Sequence, residues 1–110
     1  MSINKLNECI KRGLENLDEI LPGIKAIAEK RNKQWFIRRV GFINPTCLIN
    51  ARYFIEKAVE TESEELIKKL LSDASTSIGV FLQTSSFIPA FYQDKIRKLQ
   101  NDLCDLINAL

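Results

Sequence analysis

Histidine is absent from the 110 residues. That removes the commonest general base and the commonest metal ligand near neutral pH. With four glycines and three prolines, the chain has neither the composition of a disordered segment nor that of a loop-rich scaffold. Cysteine occurs three times, at Cys9, Cys47 and Cys104, and never as a C-x-x-C pair; a zinc site is therefore not expected. Each thiol lies in a helix-like apolar pattern, so all three are expected to be reduced and mostly buried. No apolar run approaches the roughly 20 residues of a membrane span, and residues 78–82 are among the longest. The opening MSINKLNECI lacks the apolar stretch of a signal peptide. A soluble protein of the cytoplasm is expected. No Val/Ile/Thr-rich alternation bounded by turns occurs, which argues against strands.

What the chain does have is apolar residues, 45% of the total, recurring at helical steps. Ile3, Leu6, Ile10, Leu14, Leu17 and Leu21 form one stripe, and Pro22–Gly23 is expected to end that helix. A second segment, from 24 to about 40, carries Ile24, Ile27, Ala28 and Trp35 on one side and Phe36 and Val40 on another, the pattern of a helix enclosed by neighbours. Gly41 loosens the chain, and Asn44 followed by Pro45 reads as an N-cap with proline at the first helical position. The third segment carries Leu48, Ala51, Ile55 and Val59, with Tyr53 and Phe54 beside them. Thr61 and Glu64 match a capping box that opens a fourth, with Leu66, Ile67, Leu70, Leu71, Ala74, Ile78, Phe81 and Leu82. Its middle, SDASTS, has poor helix propensity and admits either a closely packed neighbour or a bend. After Pro89, Tyr92, Ile96, Leu99, Leu103, Leu106 and Leu110 form a heptad seam.

Residues 1–110 thus read as one all-α domain, an antiparallel four-helix bundle. It has five helical segments if the second helix is broken between Gly41 and Pro45.

Catalytic inventory is thin. A Cys or Ser nucleophile would need an activator other than histidine. No G-x-S-x-G, Walker loop or G-x-G-x-x-G occurs. Glu60, Glu62, Glu64 and Glu65 cluster where a helix begins, and negative charge is favourable there. We expect no enzyme, no cofactor, no metal and no small-molecule substrate.

Charge is unevenly spread although the net is only +2. Residues 24–40 contain Lys25, Lys30, Arg31, Lys33, Arg38 and Arg39 against Glu29 alone, whereas residues 56–73 hold six acids and three bases. Clustered cations favour phosphate through displaced counterions, and Trp35, Phe36 and Phe42 offer rings for unpaired bases. Wound at 100° per residue, however, these charges do not share one side. They are also compatible with a solvated face over a packed Trp35; Trp35 is expected to be mostly buried and Arg38 or Arg39 exposed. Lys30, Arg31, Lys33, Arg38 and Arg39 are the candidate contacts, toward nucleic acid or an acidic protein surface. Like subunits meeting plus to minus in a closed ring is another arrangement the charges allow.

The run Ile37, Arg38, Arg39, followed after five residues by Pro45, resembles the I-R-R-A-A-V-S-I-P-x-N-I-A-E-G pattern of the bacterial ribosomal-RNA intervening-sequence proteins. Phe87–Ile88 and the tail DLINAL are similar to that family's last turn and ending, while residues 46–51, TCLINA, depart from it. The resemblance implies an antiparallel four-helix bundle that assembles into a pentameric barrel. Its relatives include accessory proteins of diversity-generating retroelements, which bind a reverse transcriptase and nucleic acid through a basic surface. Arg38 and Arg39 are the matched positions, and no catalytic residue is implied. The reading is a non-enzymatic accessory or adaptor protein that binds nucleic acid or a protein that handles it. The alternative is a small protein-binding inhibitor, such as a bacteriocin-immunity or antidefence protein.

Overall fold

The computed structural model describes residues 3–38, 43–85 and 88–110, with the side chains of the first stretch described from Asn4 to Lys30. Four α-helices account for nearly all of these residues, and no strand occurs among them: α1 (Ile3–Arg38), α2 (Pro45–Val59), α3 (Glu64–Thr84) and α4 (Ala90–Ala109). Each packs on its neighbours in chain order, α4 closes the ring on α1, and among the described residues no pair meets across the diagonal. The directions alternate. Asp18 meets Arg52 between α1 and α2, Gly79 and Ser75 face Gln100 and Cys104 between α3 and α4, and Glu19 meets Lys95 between α1 and α4. The fold is therefore the expected antiparallel four-helix bundle.

The count of four arises differently from the sequence reading, because the first two segments are a single helix. Pro22 lies inside α1 and does not end it. Proline there removes the N–H that would bond to the Asp18 carbonyl and costs about 3 kcal/mol. The core stripe runs straight past it through Leu17, Ile20, Leu21 and Ile24, none more than 6% exposed. Burial of four such side chains, at about 1.5–3 kcal/mol each, outweighs the lost bond and keeps both halves in line.

Local signals fix the other ends. Asn44 stands at the N-cap of α2 with Pro45 at the first position, as expected. Its side chain makes no capping bond; instead its amide nitrogen donates to the Cys47 sulfur, and its backbone N–H donates to Ser85 Oγ at 3.0 Å. The capping box is displaced. Ser63, not Thr61, caps α3, its hydroxyl accepting from the Leu66 N–H, while the Thr61 hydroxyl donates to the Lys57 carbonyl at the end of α2. Leu66, one step off the buried stripe of Ile67, Leu71, Ala74, Ile78 and Phe81, points to water at 46% exposure rather than joining the core.

The SDASTS stretch stays helical. Ser72 and Thr76 return their hydroxyls to the carbonyls one turn back, and the small residues let α4 lie close, with Gln100 donating to the Ser75 carbonyl. The α4 seam is buried as its spacing indicated, Leu99 and Leu103 being almost fully enclosed. The cysteines depart from expectation. None is fully buried, and Cys104 is exposed, because its stripe borders α3 at Ser75 rather than the bundle axis.

Candidate nucleic-acid interface

The long axis of the molecule measures 51 Å against 20 and 19 Å across. At about 1.5 Å per residue, α1 is the one element long enough to span it. Register locates the excess. Arg52 lies level with Asp18, so Pro45, seven residues earlier on the antiparallel α2, is level with about residue 25. Tyr92, at the start of α4, abuts Gly23. Ser85, at the end of α3, bonds Asn44. Three helices therefore stop together near residues 25–28 of α1. Ala28 is the last buried position among the described side chains of that helix. About ten further residues, or ~15 Å of helix, continue past the bundle's end.

This projecting segment carries four of the five candidate cations. Lys30 is exposed. Arg31, Lys33 and Arg38 follow on the same helix, their side chains outside the described set. Arg39, together with the expected burial of Trp35 and exposure of Arg38 or Arg39, also lies outside it. The acidic cluster sits at the other pole. Glu60, Glu62, Glu64 and Glu65 are all exposed around the α2–α3 turn, separated from the basic end by the ~30 Å length of α3. The sequence polarity thus becomes a spatial one.

Beside the root of the projection, at the start of α4, stands a ring that the sequence reading did not single out. Phe91 is 61% exposed, the most exposed large apolar side chain described. Tyr92 meets its edge with ring centroids 5.3 Å apart. Lys95 Nζ lies 4.6 Å from the Phe91 centroid and 3.0 Å from Glu19 Oε1. Only Phe91's position two residues from the start of a helix that opens at Pro89 hinted that it would fall off the heptad seam.

Two grooves are lined by described residues of the bundle. One, of about 440 Å³ between α1 and α4, is lined by Cys9, Arg12, Gly13, Lys98, Asp102 and Asp105 among others. Its two cations and two carboxylates offset each other, so it holds no net field for an anion. The other, of about 390 Å³ at the proline of α1, is bounded by Asp18, Leu21, Pro22, Lys25, Ile49 and Arg52. Arg52 is engaged there with Asp18 and, at 2.9 Å, with Glu56. The hydrogen bond to Asp18 is the main cause that raises the guanidinium pKa above its ordinary value; desolvation opposes it, and the charges of Asp18 and Glu56 add to the rise. Among the described residues no group of three His, Cys, Asp or Glu side chains is placed to hold a metal ion, and no helix is long and apolar enough to cross a membrane. No protein-family model, curated protein or solved structure matches this chain.

Proposed function

We propose that this chain is a non-enzymatic helical accessory protein of the cytoplasm that binds nucleic acid through Lys30, Arg31, Lys33, Arg38 and Arg39. The observation that carries the reading is the continuation of α1 past the ends of the other three helices, with the basic segment on that extension. Beyond those ends no other helix runs beside α1 among the described residues, which would let a polyanion approach from more than one side. Cations that do not share one helical face can then act together. The remote acidic pole reduces the mutual repulsion a uniformly acidic surface would impose. The same polarity orients an approaching polyanion, because the field of the basic end attracts it first.

Salt dependence tests the proposal. Five cations on a single strand give a slope of about −3.5 in log affinity against log salt, or roughly 100-fold weaker binding between 50 and 200 mM. Fluorescence anisotropy with a labelled single-stranded oligonucleotide reads this directly. The triple variant Lys30→Gln, Arg31→Gln, Lys33→Gln should lower the slope by about two. Absence of binding at 50 mM salt, or a flat salt profile, overturns the proposal. A stoichiometric protein partner recovered without nucleic acid would instead favour the inhibitor reading. One observation supports that rival: Ile49 and Tyr53, 40% and 56% exposed, stand one turn apart on α2 beside Arg52, a combination common at protein interfaces.

A further inference from the structure

Resting on that nucleic-acid reading, we infer that Phe91 is a stacking platform for an unpaired base at the root of the α1 extension, with Lys95 and Lys30 flanking it as phosphate contacts. A phenylalanine left 61% exposed forgoes much of the ~1.5–3 kcal/mol its burial would contribute. The pairing with Lys95 one turn on explains how the ring is tethered but not why it is left in water.

The surroundings hold the ring in place. Tyr92 takes one edge at an interplanar angle of 74°, and the Lys95 ammonium occupies one face. With 61% of the residue exposed, ring surface remains for a planar partner. Tyr92 is itself seated on Gly23, where even a methyl group would come within 2.8 Å of its Cζ, so the turn bearing Phe91 is registered against α1. Lys95 is held between the ring and Glu19.

Lys30 completes the track. It lies seven residues beyond Gly23 and so on nearly the same stripe of α1, which faces α4, about 10 Å further along the axis. A ring with one ammonium on its face and a second cation further along the neighbouring helix has the chemistry that single strands use: sequence-tolerant stacking on an aromatic face with cations following the backbone. A duplex keeps its bases stacked inside and gains nothing from the ring, so single strands are the favoured ligand.

The test compares wild type, Phe91→Ala and Phe91→Tyr for binding to a labelled oligothymidylate and to a duplex of equal length, each across a salt series. Phe91→Ala should weaken single-strand binding roughly 5- to 100-fold, leave the salt slope unchanged because no charge is lost, and leave duplex binding unchanged. Phe91→Tyr should stay within about twofold of wild type, since it keeps the face. Thermal melts of each variant report folding, which the exposure of Phe91 should spare. If wild type binds with the expected slope but Phe91→Ala binds the single strand equally well, or loses duplex binding to the same extent, the platform is overturned and the basic-end proposal stands. If wild type shows no salt-sensitive binding to either ligand, both fall together.

Discussion

Gly23 shows at the residue scale how one position can be read for the wrong reason. Next to Pro22 it looks like turn chemistry. In the structure it sits inside α1, where glycine costs about 1 kcal/mol relative to alanine, and its missing side chain makes room for the Tyr92 ring. Gly23→Ala should therefore destabilise the protein by about 1 kcal/mol in urea unfolding, the ring displacement exceeding the gain in helix propensity. In a Tyr92→Leu background the same change should turn stabilising. Additivity of the two substitutions would refute the contact. No one-dimensional signal distinguishes a glycine that bends the chain from one that accepts a neighbour 69 positions away. The cysteines follow the same logic. Composition made them small apolar residues, but Cys104 falls on the side of α4 that borders Ser75, and only the packing of α3 fixes that.

The element scale was more legible, and its errors were confined to ends. Period and heptad spacing identified the buried stripes of α2, α3 and α4, because Leu48, Ile55, Ile67, Ile78, Ile96 and Leu103 each lie where a helix must turn inward. Boundaries depend on a few competing hydroxyls. Thr61 and Ser63 both stand ahead of α3, and both make local hydrogen bonds, but only Ser63 accepts from the first turn of α3. Ser63→Ala should cost about 1 kcal/mol, and Thr61→Ala less than half of that. Equal losses in thermal melts would mean that the capping role is shared. The proline of α1 was misjudged because its penalty was weighed locally, whereas the four large side chains around it are buried by other helices. Four of the five candidate cations, Lys30, Arg31, Lys33 and Arg38, lie along α1, and Arg39 falls outside the described residues. That the helix outruns its bundle was hidden, since it follows from where α2, α3 and α4 stop.

At the scale of the whole molecule, one apolar core joins all four helices, so local losses should be felt globally. Leu103, 1% exposed, lies at the centre of the α4 seam. Leu103→Ala should lower stability by about 2–5 kcal/mol and the melting temperature by about 10–25 °C, with circular dichroism and scanning calorimetry reporting one and the same transition. A loss below 1 kcal/mol, or probes that part company, would contradict a single cooperative core. The outline of the molecule carries a consequence of its own. A helix that outruns its three neighbours works as a gauge, because its length sets how far apart its root and tip can touch the same strand. Seven residues inserted after Ala28, with four more added between Arg38 and Pro45 so that the returning chain still reaches α2 at about 3.3–3.6 Å per residue, would advance the tip by about 10 Å while turning it only slightly. The occupied length of a bound oligonucleotide should then grow by a nucleotide or two, with the root contacts unmoved.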